Sequence, residues 1–276
     1  MAVHAHPDDE AIGTGGILAR YSAEGIRTIL VTCTDGACGD GPGGVKPGQP
    51  GHDRGAVAAA RQVELANSCR VLGVSDHESL GYPDSGMMGW PDNDAPGSFW
   101  TTPVDEPASK LADLMHLHRP QVVVTYNPNG FYGHPDHIQT HRATMAAAEA
   151  TGVPDKVYWT AVPKSYMADL GRRMRDLGLA SPAGGEERPR EDWGTPDEEV
   201  TTWVDVSAFA DRKYDSISAH ASQSDNIFFL QMGRSTFAEV MGSETFVRVL
   251  DRTGATVPEN DLFAGLRRYR NGRGAR

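Results

Sequence analysis

The chain has 276 residues, which suits one α/β domain with a sizeable core or two small domains. Its 37 acidic residues outnumber the 26 basic ones, and the net charge of −11 has the wrong sign for binding phosphates by neutralising them. We therefore expect neither nucleic acid nor an anionic membrane surface as a partner.

Cysteine content and hydropathy predict a cytoplasmic protein. The chain has three cysteines, no C-x-x-C pair, and no apolar run close to the ~20 residues of a membrane span. No basic region followed by an apolar segment opens the sequence. Residues 1–3, the first apolar run, are fewer than the about 5–6 residues of a usual strand, so we expect strand residues upstream. Nothing in the sequence indicates an oligomeric state.

The first part of the chain alternates short β-branched runs with Ala-rich helical patterns. The first predicted strand ends near residue 5. Further strands are predicted over residues 27–33, 78–80, 121–126 and 156–162. The predicted helices cover residues 12–23, 54–72, 107–118 and 134–150. Strand and helix alternating at these lengths predict an α/β fold, with a Rossmann-like, mostly parallel sheet and helices on both faces.

The pattern is less regular after residue 162. We predict a strand over 200–206, a helix over 209–222, an exposed insertion over 180–198 and a flexible tail over 268–276. The Gly- and Pro-rich residues 36–55 are expected to form a long loop. The whole chain is predicted to be a single domain, with a core over 1–162 and a C-terminal elaboration over 163–267.

Two polar clusters follow predicted strands, where open α/β sheets place their ligand sites. One is His-Pro-Asp-Asp-Glu at 6–10, and the other is His-Pro-Asp-His at 134–137. Carboxylates crowded into one turn raise each other's pKa unless a cation lies among them. Imidazole and carboxylate are ligands of catalytic zinc, where three protein donors leave a position for water. We expect two ligands from the first cluster and one from the second.

The neighbouring acids suggest a division of roles. Asp8 and Asp9 are adjacent, so one can bind the metal while the other accepts a proton from water. A second histidine near the metal, His134, would carry a proton to the departing amine or stabilise the oxyanion, and Asp136 would orient it. His141, one helical turn beyond His137, either approaches the site or faces the surface.

Both motifs and the glycine-rich stretch also have simpler interpretations. A single His-Pro-Asp is most often a turn, because Pro fixes φ and Asp caps the helix that follows. Two such clusters after parallel strands favour chemistry. The glycines at 13–16 do not make a dinucleotide site, since the third glycine of that fingerprint falls at Leu18 and the acids would repel a pyrophosphate. These glycines are expected to let a helix pack closely on the sheet.

The motifs at 6–10 and at 132–137 (Tyr-Gly-His-Pro-Asp-His) resemble those of the GlcNAc-PI de-N-acetylase family, also called PIG-L or LmbE-like. The resemblance covers residues 1–162 and, more weakly, the helix ending Ala-His-Ala-Ser-Gln at 219–223. It implies a zinc-dependent hydrolase that deacetylates an N-acetylglucosamine-type substrate such as a glucosaminyl-inositol. Fe(II) is an alternative metal, since it takes the same imidazole and carboxylate ligands.

The resemblance also implies a role for individual positions in the metal site. Carried over by position, it makes His6, Asp9 and His137 the zinc ligands and Asp8 the general base.

Further positions are implied on the substrate side. His134 would be the electrostatic or acid partner with Asp136 behind it, and Tyr132, on a mobile loop, would polarise the substrate carbonyl. Arg61 and Asp84 would bind sugar hydroxyls.

Several activities share these motifs. The pattern is most similar to actinobacterial deacetylases of mycothiol synthesis, and mycothiol-conjugate amidases and antibiotic-tailoring N-deacylases are also similar. In the amidase branch a lysine follows the first motif by three residues, whereas this chain has Gly13, which disfavours that branch. A rival from another class is a non-catalytic sugar- or metal-binding protein, although structural zinc is normally closed by four protein ligands.

Overall fold

The computed structural model describes residues 1–176, 178, 194–224 and 229–267. Within them the strands are β1 (Ala2–His4), β2 (Ile29–Thr34), β3 (Asp76–Tyr82), β4 (Val122–Thr125), β5 (Lys156–Ala161), β6 (Thr202–Asp205) and β7 (Ser243–Asp251). They form one sheet in the order β3-β2-β1-β4-β5-β7-β6. Strands β1 to β5 are parallel, whereas β7 runs antiparallel to both β5 and β6.

The helices have the bounds α1 (Asp9–Ala23), α2 (Arg54–Leu72), α3 (Asp105–His118), α4 (Gly130–Gly133), α5 (Pro135–Thr151), α6 (Lys164–Asp176), α7 (Ala210–Ala219) and α8 (Gly233–Met241). Helix α2 begins where the Asp53 side chain accepts hydrogen bonds from the backbone N–H groups of Gly55 and Ala56, and it ends at Gly73 in the left-handed region. Among the described residues, no helix has the length and apolar character to cross a membrane.

Apolar side chains of the strands alternate between the two faces of the sheet. On one face Val3 shares an apolar cluster with Leu111 of α3 and with α5. On the other face Leu30 shares a cluster with Leu18 of α1 and Leu65 of α2. The predicted α/β fold, with a mostly parallel sheet covered by helices on both faces, is confirmed.

The C-terminal part of the chain adds more regular structure than its sequence pattern predicted. Helices α6 and α8 and strand β7 were not predicted, and β7 lies inside the sheet between β5 and β6. The predicted strand over 200–206 is β6, and the predicted helix over 209–222 ends at Ala219. Most of the predicted insertion over 180–198, and the predicted tail over 268–276, lie outside the described residues.

The pairing of β1 with β4 brings the two polar clusters together. Ala2 of β1 lies opposite Val124 of β4, so the segments that follow these strands leave the same edge of the sheet side by side. One segment leads into α1, and the other leads through α4 into α5. Ligand sites in open α/β sheets occupy this carboxyl edge.

Candidate metal centre

Three predicted ligands from the two clusters meet at the carboxyl edge. The His6 Nδ1 atom lies 3.3 Å from His137 Nε2 and 3.3 Å from Asp9 Oδ2. The Asp9 Oδ1 atom lies 3.4 Å from His137 Nε2. Both histidines are buried, and 131 residues separate them in the sequence. Each residue therefore points a donor atom at one common position.

These separations fit a single divalent ion. Donor atoms at about 2.0–2.1 Å from a tetrahedral zinc are about 3.3–3.4 Å from each other, which matches the distance between the His6 and His137 nitrogens and the distance from each of them to one Asp9 oxygen. Two further triads, His6 with His134 and His137, and His6 with Asp84 and Asp136, each have one donor atom per residue within 4.8 Å of the others. The second triad lies on the Nε2 side of His6, away from Asp9.

Hydrogen bonds set the orientation of His137. Its Nδ1–H donates to the backbone carbonyl of Gly130 at 3.2 Å, which leaves the Nε2 lone pair free for a metal. Gly130 has φ 63°, and a Cβ there would lie 2.8 Å from the Cβ of His137. Glycine is therefore required where the turn passes over the ligand.

His6 is oriented from its other nitrogen by two carboxylates. Its Nε2 atom lies 3.2 Å from Asp136 Oδ2 and 3.7 Å from Asp84 Oδ1. Although burial lowers it, these two carboxylates raise the pKa of His6 well above its usual value. A carboxylate behind a metal-binding imidazole fixes the ring and increases its basicity.

Asp9 is held by Tyr126, a residue that the sequence did not single out. The Tyr126 hydroxyl donates to Asp9 Oδ2 at 2.7 Å and accepts from the backbone N–H of Ala5, and its ring stacks on His137 with centroids 4.2 Å apart. The backbone N–H of His6 also donates to Asp9 Oδ2. Although burial raises it, His137 and His6 lower the pKa of Asp9 well below its usual value.

Asp8 faces a different partner from Asp9. Its Oδ1 atom lies 3.0 Å from the Arg61 guanidinium. Burial is the main cause that raises the pKa of Asp8, and the charge of Arg61 opposes it. Asp8 has φ 121°, a conformation that costs a non-glycine residue about 1–3 kcal/mol and is concentrated at functional sites.

Arg61 and Asp84 lie deeper than the sugar-binding prediction implied. Arg61 is 4% exposed, and besides Asp8 it donates to the backbone carbonyls of Pro7 and Gly36. Asp84 is 3% exposed and accepts hydrogen bonds from the backbone N–H groups of Cys38 and Gly86. The role of these two residues in binding sugar hydroxyls stays a prediction. Arg61 contacts Asp8, and Asp84 contacts His6.

His134 lies beside His6 and His137, with ring centroids 4.5 Å and 4.9 Å away. Its Nδ1 accepts the backbone N–H of Asp136 at 3.1 Å, so the proton of the neutral ring is on Nε2. The Asp136 carboxylate was predicted to orient His134, but it contacts His6 and accepts the backbone N–H of Ser85. Burial and the neighbouring His6 and His137 lower the pKa of His134 well below its usual value.

Tyr132 lies at the mouth of the site. It is 37% exposed, and its ring is edge-on to His137 at 5.1 Å and to His134 at 6.0 Å between centroids. The preceding Phe131 has φ 67° and ψ −64°, a rare backbone conformation for a non-glycine residue. The turn thus carries Tyr132 over the open side of the cluster.

The sequence model of the GlcNAc-PI de-N-acetylase (PIG-L) family matches residues 1–148, more than half of the chain. The chain belongs to this family. The predicted family, and the predicted enzyme class of a hydrolase that cleaves an N-acetyl amide, are confirmed.

Relatives of this PIG-L family member were found over nearly its whole length. It is 42% identical to a 1D-myo-inositol 2-acetamido-2-deoxy-alpha-D-glucopyranoside deacetylase of Salinispora arenicola, with 96% of this chain and 91% of the relative covered. It is 44% identical to the deacetylase of the same name from Thermobifida fusca, with 96% and 98% covered. The structure of an N,N'-diacetylchitobiose deacetylase from Pyrococcus horikoshii is similar to this chain, with TM-score 0.55, 22% identity, and 90% of this chain and 82% of that chain covered. At this identity the similarity shows a shared fold and nothing more.

In this PIG-L family member, a buried ion pair behind the first motif was not predicted from the sequence. His220 Nε2 lies 2.7 Å from Glu10 Oε1, and both residues are fully buried. Although burial lowers it, the Glu10 charge raises the pKa of His220. The weak resemblance at 219–223 was the available signal, and no role was attached to it.

His141, left open by the sequence, is also buried. Its Nδ1–H donates to the carbonyl of Tyr126 at 2.9 Å, so it braces the strand end that carries the Tyr126 hydroxyl. It does not face the surface.

Proposed function

We propose that this chain is a zinc-dependent deacetylase that removes the acetyl group from an N-acetylglucosaminyl-inositol. The observation that carries the proposal is the cluster of His6, Asp9 and His137, in which the two imidazole nitrogens lie 3.3 Å apart and each lies 3.3–3.4 Å from an Asp9 oxygen. The substrate class follows from relatives that are 42% and 44% identical over 96% of this chain.

The chain's own residues divide the work of hydrolysis. A zinc ion held by His6, Asp9 and His137 would supply a Lewis acid, which would polarise the amide carbonyl and lower the pKa of water so that it loses a proton near neutral pH. Asp8 accepts the proton of the attacking water. Since Asp8 is held by Arg61 rather than by the metal ligands, its carboxylate is kept for this transfer.

The opposite side of the cluster stabilises the developing charge. His134 keeps a proton on Nε2 because its Nδ1 accepts a backbone hydrogen bond, so the ring can donate to the oxyanion. The Tyr132 hydroxyl, on the turn at the mouth, donates to the same oxygen. Asp8 then returns its proton to the departing amine, which leaves acetate and a free amino sugar.

Release of acetate, or of another acyl product, from a panel of amides tests the proposal. The panel contains N-acetylglucosaminyl-inositol, N,N'-diacetylchitobiose and a mycothiol conjugate, each incubated with zinc-loaded protein, iron-loaded protein and chelator-treated protein. We expect the highest kcat/KM for zinc-loaded protein on the inositol glycoside, and loss of activity with the chelator. Faster cleavage of the conjugate would identify an amidase instead, and absence of acyl release from every substrate would rule out the enzyme proposed here.

A further inference from the structure

Behind Asp8 lies a line of buried polar contacts that the proposed reaction does not use. The backbone N–H of Asp8 donates to Glu10 Oε2 at 2.9 Å. The other oxygen of Glu10 accepts from His220 Nε2 at 2.7 Å, across 210 residues of sequence, and from the Ser68 hydroxyl at 2.5 Å. Glu10 and His220 are both 0% exposed, so solvent does not compete for either contact.

The Asp8 turn needs support of this kind. Its φ of 121° and ψ of −27° lie outside the regions that a non-glycine residue normally adopts, and such a conformation persists only when its surroundings impose it. The N–H of Asp8, just before α1, has no partner within the helix. Glu10 supplies that partner, while Arg61 holds the carboxylate end of the same residue.

His220 is directed at Glu10 rather than at a wider network. Its Nδ1 is buried and has no hydrogen-bond partner within the part of the chain that the structure describes. An apolar side chain at this position would avoid that buried unpaired atom, so hydrophobic packing alone does not favour histidine. The charge-assisted contact to Glu10 is the interaction that histidine adds.

We propose that Glu10 and His220 form a positioning pair, which holds the backbone of Asp8 so that its carboxylate faces the reacting water. Neither residue touches the substrate or binds the metal. His220 fixes the Glu10 side chain, and Glu10 fixes the strained turn. The effect of this pair on catalysis rests on the proposed function of Asp8. Its effect on the backbone conformation of Asp8 does not.

Two substitutions at one position separate positioning from packing. His220→Leu fills the space but removes the donor to Glu10, and His220→Gln restores an N–H near the position of Nε2. Ser218→Ala is the matched control, because it removes a hydroxyl of α7 that donates to the backbone carbonyl of Tyr214 and not to Glu10. Zinc content, kcat, KM and the hydrogen-exchange rate of the Asp8 amide are measured for all three and for the unmodified protein.

We expect His220→Leu to keep one zinc per chain and a KM within twofold, while kcat falls at least tenfold and the Asp8 amide exchanges at least tenfold faster. His220→Gln should recover kcat to within about threefold. Ser218→Ala should match the unmodified protein in all four quantities. Unchanged kcat and unchanged exchange in His220→Leu would overturn the proposal, as would a loss of zinc that equals the loss of activity.

The amide measurement keeps this inference separate from the proposed function. If the unmodified protein releases no acetate, the proposed function fails. Faster exchange of the Asp8 amide in His220→Leu would by itself still support the proposal that Glu10 and His220 fix the Asp8 turn. If His220→Leu does not fold, Glu10→Gln replaces it, since it keeps an oxygen for the Asp8 N–H and weakens the contact to His220. A folded Glu10→Gln with unchanged Asp8 exchange would contradict the proposal.

Discussion

Asp8 and Asp9 are neighbours in the sequence, yet their side chains face different partners. The positive φ of Asp8 turns its carboxylate toward Arg61, whereas Asp9, the first residue of α1, faces His6 and His137. Two identical side chains can therefore serve as base and ligand because the backbone between them is strained.

Substitution of each acid by its amide tests this division of roles. Asp8→Asn preserves size and should keep the zinc, while kcat falls about 10²- to 10⁴-fold because a general base is lost. Asp9→Asn, the matched change one residue away, should lose zinc as well as activity. Metal analysis after gel filtration, combined with acetate release, gives both quantities. Equal zinc loss in the two variants would show that the roles are shared.

Arg61 offers a second test at the level of single residues. If Arg61 positions Asp8, its loss should lower kcat, whereas if it binds the sugar, its loss should raise KM. Arg61→Met should lower kcat about 10- to 100-fold, with KM within about threefold, since the base loses its buried partner. Arg70→Met, on the surface of the same helix, serves as the control. A raised KM with an unchanged kcat would instead support the sugar-binding role.

At the scale of elements, α1 lies close to the end of β6 and to β7 because it carries glycine at the contact. A Cβ at Gly16 would lie 2.5 Å from Val206 Cγ2 and 2.9 Å from Glu244 Oε1. Glu244 accepts the N–H groups of Gly16 and Ile17 and pairs with Lys213 of α7. The glycine-rich stretch thus serves helix packing, as its sequence predicted.

Two glycines of this helix give a matched pair for stability. Gly16→Ala should lower the free energy of unfolding by about 1–3 kcal/mol, because the new methyl group overlaps its neighbours. At Gly13 the nearest atom to a Cβ is His4 Cε1 at 3.5 Å, so Gly13→Ala should be neutral or stabilise by up to about 1 kcal/mol. Urea unfolding measures both, and equal effects would refute the close-packing account.

At the scale of the whole molecule, the C-terminal segment is tied to the sheet by buried charge. Glu259 pairs with Lys156 of β5 and with Arg248 of β7, and it accepts the Tyr158 hydroxyl. Lys156 and Glu259 are buried, so each depends on the other for compensation of its charge.

Removal of Glu259 should therefore destabilise the entire fold. Glu259→Ala is expected to lower the free energy of unfolding by about 3–5 kcal/mol, because Lys156 would stay buried without its carboxylate. Asp169→Ala, which breaks the exposed pairs with Arg172 and Arg173, should change it by less than about 1 kcal/mol. Thermal and urea unfolding of the two variants compare a buried pair with a surface pair.

The sequence predicted the helices and strands whose pattern of apolar residues can be recognised within the element itself. The strand over 121–126 and the helix over 54–72 are examples. Helix α6 also has a readable period, since Tyr166, Leu170 and Met174 recur at every fourth residue and pack in one cluster with α8, but the polar residues between them masked it. Strand β7 was missed because its charged residues look exposed until Lys213 and Glu259 are placed beside them.

The motifs identified most residues of the candidate site, but they did not predict which of these residues contact each other. Tyr126 ends an apolar strand, and nothing near it in the sequence indicates that its hydroxyl reaches Asp9, 117 residues away. The Asp136 carboxylate contacts His6 instead of His134, because the backbone of α5 already satisfies His134. Such pairings depend on which strands are neighbours in the sheet.

His6, Asp9 and His137 are proposed to hold one zinc ion and to leave it a position for water. The X-ray absorption spectrum of the zinc-loaded protein tests this most directly. It should show two imidazole nitrogens and light oxygen donors around the zinc, with no sulfur neighbour. A thiolate in the shell, or fewer than two imidazoles, would contradict the account.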